Sequence, residues 1–290
     1  YQQAAVTRAV TVASPTAEVS VEEALVNIFC TARSSNTDRT ITGSGIFIDP
    51  QGVILTNAHI AQFLLLSEDT TGTKVQCVIR QGSPALSTYE AGLLYISPKW
   101  ITHNAYQLTA EKPSGTGEHD FALLYVTRAL AEHLPQAFPA LIPAPGAPVY
   151  NQLAVRAAGY PAEVLTADNV SAPLTPAVAT TSVSHLFTFG GGTIALITLA
   201  PSTVGQKGSS GGPILNEDGA VLGIITTRGN QKEEGARSLR ALTLSYIDRA
   251  LTEETGLTLA QTLAGDIPLR ARVFHETIAP YLRVLLAGSS

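Results

Sequence analysis

Two adjacent serines lie among glycines in the stretch VGQKGSSGGPIL, residues 204–215. A serine hydroxyl becomes a nucleophile when a neighbouring base takes its proton and a third group holds that base. The attacked carbonyl then develops negative charge, which converging backbone N–H groups stabilise. Glycine allows the close backbone approach that such convergence needs. The stretch therefore fits either a nucleophile in an oxyanion cradle or an ordinary Ser/Gly loop, and the motif alone leaves both open.

A base and an acid that suit this chemistry occur upstream. His59 in LTNAHI directly follows a predicted strand, and Asp120 in HDFALL opens another, where a buried carboxylate would hold an imidazolium. The competing interpretations are a helix-start or surface histidine and a strand-edge aspartate that ends a loop. His119 is adjacent to Asp120, but strand alternation would direct the two side chains oppositely, so we assign it to the scaffold. The same assignment covers the remaining histidines, His103, His133, His185 and His275.

Together, LTNAHI, HDFALL and GSSGGP resemble the catalytic segments of the chymotrypsin-like (trypsin-like) serine proteases. They follow that family's order of His, Asp and Ser, which differs from the orders in subtilisins and α/β-hydrolases. The resemblance covers about residues 24–251. It implies that Ser210 is the nucleophile, His59 the general base and acid, and Asp120 the residue that orients the imidazole. It also implies an oxyanion hole formed by the N–H groups of Gly208 and Ser210.

Ser209 marks a departure from the digestive members of that family, which carry an aspartate there that pairs with a newly freed N-terminus. The chain is instead similar in style to the bacterial HtrA-like branch, here without a PDZ module. By the same resemblance, Val204 lies at the base of the pocket for the residue before the cut. Thr226, Thr227 and Arg228 would lie on a strand that pairs with the substrate backbone. Because the pocket has no acid, we expect a preference for a small or medium apolar residue; Arg228 would instead favour an acidic one, or face solvent.

The elements that would position these residues are short apolar segments separated by turn signals. The segments DPQG (49–52) and NEDG (216–219) each predict a tight turn between two strands. This pattern favours closed barrels or sandwiches, and the resemblance narrows it to an all-β fold of two six-stranded antiparallel β-barrels. Only the C-terminal region has a helical period, with one helix capped by Gly256 and a second one interrupted near Pro280.

We expect four regions along the chain. Residues 1–20 form a lead-in segment, residues 21–135 the first barrel with His59 and Asp120, residues 136–260 the second barrel with Ser210, and residues 261–290 a C-terminal helical extension. The boundary between the barrels is placed in a proline-rich interval, ALAEHLPQAFPALIPAPGAPVYNQ.

The composition excludes some partners. A net charge of −5 in 290 residues leaves no basic footprint, so nucleic acid is excluded as a partner. No segment has the roughly 18 apolar residues of a membrane span. Charged residues are only 14% of the chain and small polar residues are abundant, so we expect an extracytoplasmic protein, secreted, periplasmic or tethered upstream of Tyr1. Cys30 and Cys77 lack metal-ligand spacing; a disulfide and two buried thiols are equally open.

The resulting prediction is a serine endopeptidase that hydrolyses protein or peptide substrates through an acyl-enzyme. This mechanism requires no metal and no organic cofactor. Two alternatives stay open, a non-catalytic binding protein on the same fold and a serine esterase.

Overall fold

The computed structural model describes residues 19–33, 38–67, 74–105, 116–131, 133–162, 173–205, 207–228 and 239–287. Within these residues, the strands form two closed barrels of six antiparallel strands each. Helices follow the second barrel at the C-terminus. The predicted all-β fold with two six-stranded barrels is therefore confirmed. The region boundaries at residues 20, 135 and 260 stay predictions.

The first barrel contains six strands in the spatial order β1-β2-β3-β6-β5-β4. Its strands are β1 (Leu25–Arg33), β2 (Asp38–Asp49), β3 (Val53–Thr56), β4 (Lys74–Gln81), β5 (Leu86–Ile96) and β6 (Ala122–Ala129). Short helices α1 (Val21–Ala24), α2 (Ala58–Ser67) and α3 (Pro98–Asn104) accompany them. The predicted turn between β2 and β3 is present, because Gly52 N–H donates to the Asp49 carbonyl at 3.0 Å and Gly52 has a φ of +87°.

The second barrel has the spatial order β10-β11-β12-β9-β8-β7. Its strands are β7 (Ala154–Gly159), β8 (Ala177–Phe187), β9 (Leu196–Leu199), β10 (Pro213–Leu215), β11 (Val221–Arg228) and β12 (Leu239–Thr243). Buried aliphatic side chains, among them Val155, Ile197 and Ile214, form its core. The predicted turn at 216–219 joins β10 to β11, with Gly219 N–H donating to the Asn216 carbonyl at 3.2 Å.

Helices at the C-terminus pack against both barrels. They are α4 (Leu244–Thr255), α5 (Leu259–Leu263), α6 (Ile267–Thr277) and α7 (Ala279–Ala287). Of these, α4 contacts β11 and β12 of the second barrel, and α6 contacts β5 of the first. Gly256 ends α4 with a φ of +76°, as predicted. The predicted interruption is the break between α6 and α7, and Pro280 is the second residue of α7, where a proline fits a helix. Phe274 of α6 packs on Tyr95 of β5, with ring centroids 5.8 Å apart. This helix therefore contributes to the hydrophobic core of the first barrel.

Cys30 and Cys77 form a disulfide. They lie directly opposite each other on the paired strands β1 and β4, with Cα atoms 4.0 Å apart. This pairing decides between the two states that the sequence left open.

Candidate active site

His59 and Asp120 meet at one end of the first barrel. His59 lies in the first turn of α2, directly after β3, and Asp120 precedes β6, which pairs with β3. His59 Nδ1 lies 2.8 Å from Asp120 Oδ2, and the backbone N–H of His59 donates to Oδ1 at 2.9 Å. The carboxylate is buried, whereas 32% of the His59 side chain is exposed. The acid therefore fixes the ring from the protein interior while part of the ring stays exposed to solvent.

Two further side chains hold Asp120. Thr226 Oγ1 in β11 donates to Asp120 Oδ2 at 2.5 Å, and Asn57 Nδ2 donates to the Asp120 carbonyl at 2.9 Å. Burial raises the pKa of Asp120, but the attraction of His59 and the hydrogen bonds from His59 and Thr226 outweigh it, so the pKa lies below its usual range. The carboxylate is therefore ionised at neutral pH and accepts hydrogen bonds only.

Ser210 reaches the same site from the second barrel. Its hydroxyl donates to the Thr226 carbonyl at 3.0 Å, and Thr226 contacts Asp120 through its own side chain. In the part of the chain that the structure describes, no hydrogen bond joins the Ser210 hydroxyl to the His59 ring. The structure thus brings His59 and Asp120 into direct contact and links Ser210 to them through Thr226.

The loop that carries Ser210, residues 207–212 and called the serine loop below, has every carbonyl from 207 to 210 hydrogen-bonded. The donors are Ala162 N–H to Lys207 (2.6 Å), Ser44 Oγ to Gly208 (2.7 Å), Gly212 N–H to Ser209 (2.9 Å) and Ser44 N–H to Ser210 (2.7 Å). Within the described residues, the N–H groups of Gly208, Ser209 and Ser210 have no acceptor. The two predicted donors, Gly208 and Ser210, are therefore among the backbone groups that a ligand could use, as an oxyanion hole requires.

The neighbouring serine is in a different environment. Ser209 is fully buried, and its hydroxyl has no hydrogen-bond partner in the described structure. A β-carbon on Gly159 would lie 3.1 Å from Ser209 Oγ, so the two residues are in close contact. Gly208 has a φ of +93°, which explains the need for glycine at that position. Ser210 is only partly buried, so the comparison favours Ser210 rather than Ser209 as the accessible serine.

The predicted substrate-binding residues have different locations. Val204 is fully buried in the core of the second barrel. Thr226 is buried against Asp120 through its side chain, so its contact with the site is closer than expected. Thr227 and Arg228 belong to β11, but their side chains lie outside the described residues. The pocket roles of these four residues stay predictions.

His119 does not lie in a strand, and strand alternation was the wrong reason for separating it from Asp120. It adopts a left-handed turn with a φ of +57°. Its Nδ1 lies 2.9 Å from Glu254 Oε1, and its backbone N–H donates to the Tyr246 hydroxyl at 3.1 Å. Both partners belong to α4, so this helix holds the loop that immediately precedes Asp120.

Glu254 is the centre of a buried polar cluster. Its carboxylate accepts hydrogen bonds from the Tyr95 hydroxyl and from Ser97 Oγ, the latter at 2.9 Å. Burial raises the pKa of Glu254, but its contacts with His119, Tyr95 and Ser97 outweigh burial and lower it. His119 thus has an acidic partner of its own, separate from Asp120, and its assignment to the scaffold stays a prediction.

Sequence reasoning missed Ser44 and Asn57 as residues that contact the site. A signal for Ser44 was present, because it stands between Gly43 and Gly45 in the strand β2. Glycine inside a strand often marks the close approach of another backbone. Asn57 lay within the quoted LTNAHI segment, but nothing in its spacing identified its acceptor.

The described residues contain no group of three or more His, Cys, Asp or Glu side chains that is arranged to bind a metal ion. Within the same part of the chain, no helix combines the length and the apolar character of a membrane span.

Comparison with known proteins identifies the family. Residues 43–224, more than half of the chain, match the model of the trypsin-like peptidase domain. The chain belongs to this family. The matched range contains His59, Asp120 and Ser210, and the predicted recognition is confirmed at this level.

Among solved structures, the chain is similar to Rv3671c of M. tuberculosis H37Rv. The active form of that protease is 18% identical, with 88% of this chain and 94% of that chain covered and a TM-score of 0.48. An inactive serine-to-alanine mutant of it is also 18% identical, with 81% and 88% covered and a TM-score of 0.48. No curated protein matches the chain.

Proposed function

We propose that the protein is a serine endopeptidase that cleaves peptide bonds through an acyl-enzyme. Ser210 is the nucleophile, His59 the general base and acid, and Asp120 the residue that orients the imidazole. The observation that supports this most strongly is the run of contacts from His59 through Asp120 and Thr226 to Ser210, beside the free N–H groups of the serine loop. Membership in a peptidase family supports the same conclusion.

In this proposal the Ser210 hydroxyl leaves the Thr226 carbonyl and turns toward His59. Rotation about χ1 moves a serine hydroxyl between staggered positions. Because Asp120 accepts from Nδ1 of His59, that nitrogen keeps its proton and Nε2 is the free acceptor. A substrate N–H that pairs with β11 would compete for the Thr226 carbonyl and favour this rotation.

Acylation of Ser210 is the first chemical step. Ser210 Oγ bonds to the substrate carbonyl carbon while its proton passes to His59 Nε2, and the negative oxygen accepts from the N–H groups of Gly208 and Ser210. His59 returns the proton to the leaving amine as the C–N bond breaks. Water then bonds to the acyl carbon while one of its protons passes to His59 Nε2. His59 gives that proton to Ser210 Oγ as the ester bond breaks, which releases the carboxylic acid product and restores the serine hydroxyl.

The proposal also covers the substrate preference and the cellular location of the protein. The substrate is a protein or peptide with a small or medium apolar residue before the cut, Val204 lies at the pocket base, and Thr226, Thr227 and Arg228 lie along the substrate strand. The protein works outside the cytoplasm, and the Cys30–Cys77 disulfide supports this because disulfides persist in oxidising compartments.

A fluorophosphonate probe tests the proposal directly. We expect the wild-type protein to be labelled on Ser210 and the Ser210→Ala variant to lose all labelling. Ser209→Ala is the matched control: it removes an adjacent hydroxyl that has no partner, so labelling persists. Absence of labelling in the wild type would favour the binding-protein alternative.

A peptide library separates the endopeptidase from a serine esterase. We expect cleavage of extended peptides with subsite preferences, and loss of that cleavage in Ser210→Ala. Turnover of simple acyl esters without cleavage of any peptide would refute the endopeptidase and favour the esterase.

A further inference from the structure

Ser44 connects the first barrel to the serine loop of the second. It lies in β2 and is fully buried. Its Oγ accepts from the Tyr160 N–H at 2.8 Å and donates to the Gly208 carbonyl at 2.7 Å. Its own N–H donates to the Ser210 carbonyl at 2.7 Å. One residue of the first barrel thus makes three hydrogen bonds across the seam, two of them to the serine loop.

These bonds constrain the direction of the free N–H groups. A peptide unit is planar, so its carbonyl and the N–H of the next residue point in opposite directions. The Gly208 carbonyl belongs to the peptide between the two that present the N–H groups of Gly208 and Ser210. The dihedral angles on either side of this central peptide, ψ of Gly208 and φ of Ser209, set how the two donor peptides are oriented relative to each other. The carbonyls of those donor peptides accept from the N–H groups of Ala162 and Gly212. The Ser44 hydroxyl holds the central peptide in place.

The side chain of Ser209 does not share this task. It is buried in the same loop, but its hydroxyl makes no hydrogen bond to any described residue. Gly208 has no side chain and a left-handed φ of +93°, so the loop has little intrinsic preference for one peptide orientation. The constraint on its central carbonyl therefore comes from outside the loop, through Ser44.

We propose that Ser44 is a positioning residue for catalysis: its hydroxyl orients the Gly208 carbonyl so that the Gly208 and Ser210 N–H groups converge on the oxyanion. This inference rests on the proposed endopeptidase function and adds the means by which the first barrel orders the serine loop. In this proposal Ser44 acts only through the serine loop.

The test is Ser44→Ala, which removes both hydroxyl bonds and keeps the backbone N–H that donates to Ser210. Loss of one oxyanion-hole donor lowers kcat by roughly 100- to 1,000-fold, so partial misalignment of two donors should lower kcat by about 10- to 100-fold. KM should change by less than about threefold, because these donors act mainly in the transition state.

A second readout separates this role from loss of folding. A peptide aldehyde forms a tetrahedral adduct with the serine and places its oxygen between the two donors, so its inhibition constant should rise by the same factor as kcat falls. Active sites are first counted by complete fluorophosphonate labelling, so that misfolded protein does not enter kcat. Ser184→Ala is the matched control, because this strand serine also donates to a backbone carbonyl, that of Thr198, but in β8. We expect its kinetics to equal those of the wild type.

Should Ser44→Ala fail to fold, Ser44→Cys replaces it, since a thiol fills the site but is a weak donor. A lowered kcat with matching loss of aldehyde affinity in either variant supports the proposal. A folded variant that keeps kcat and aldehyde affinity within twofold of the wild type overturns it, and the endopeptidase then still stands. Absence of wild-type labelling on Ser210 overturns both.

Discussion

A methyl group added at Gly211 tests how tightly the residue after Ser210 is held at the seam of the barrels. Gly211 has a φ of +86°, and a β-carbon built on it would lie 2.0 Å from the Ser44 carbonyl oxygen and 2.5 Å from Thr56 Oγ1. Both of these atoms belong to the first barrel. Neither the backbone at Ser44 nor the serine loop is free to move without breaking the hydrogen bonds between them.

Two contributions set the magnitude for Gly211→Ala. The left-handed φ costs a non-glycine residue about 1–2 kcal/mol. The overlap with the Ser44 carbonyl forces a backbone shift, and overpacking of this kind costs about 1–3 kcal/mol. We therefore expect the free energy of unfolding to fall by about 2–5 kcal/mol, taking both together. Because a 1 Å displacement at a reacting centre lowers rates by about 100-fold, kcat/KM should fall by at least that factor.

Two other glycines separate these contributions. Gly256 has a φ of +76° but no atom within 4 Å of an added β-carbon, so Gly256→Ala should lose only about 1–2 kcal/mol. Gly146 has open space and no left-handed φ, so Gly146→Ala should stay within about 0.5 kcal/mol. Urea unfolding with linear extrapolation measures all three variants. If Gly211→Ala is no less stable than Gly256→Ala and keeps wild-type kcat/KM, the close contact across the seam is wrong.

Three further predictions concern side chains that hold the site. Thr226→Val removes a hydrogen bond to a buried carboxylate and should lower the free energy of unfolding, measured by urea unfolding, by about 1.5–3 kcal/mol. Thr226→Ser keeps a hydroxyl and should recover this stability. Equal stability of the Val and Ser variants would contradict the predicted hydrogen-bond contribution. Asp120 and Glu254 have lowered pKa values, so their contribution is present above their unfolded pKa of about 4 and is lost as pH falls below it. Acid titration of the wild type should show this loss, and Glu254→Gln should weaken it; an unchanged curve refutes it. Reduction of Cys30–Cys77, 47 residues apart, should cost about 4 kcal/mol of stability by thermal or urea unfolding, and Cys30→Ala should match the reduced protein.

Much of the fold and of the candidate site was predictable because the signals are local. The turns at 49–52 and 216–219 and the cap at Gly256 depend on residues within a few positions of each other. The segments around His59 and Asp120 can likewise be recognised from their own residues and from their order along the chain. Local features of this kind are determined by the amino-acid sequence alone, and the structure contains the two turns and the helix cap as predicted.

The hydrogen bonds that cross between the barrels depend on which surfaces of the two barrels pack against each other. The Ser44 hydroxyl reaches the Gly208 carbonyl across 164 residues of chain, and Thr226 reaches Asp120 across 106. The sequence does not show which distant group a hydroxyl will bond to. A hydrogen bond depends on the distance and angle between two atoms, and residue spacing along the chain does not determine these for distant residues. His119 is the same case: its residue type was visible, but α4 and its Glu254 decided its role. The sequence by itself determined which reactive groups the protein carries, and only the closure of the barrels and the return of the C-terminal helices decided how those groups are held.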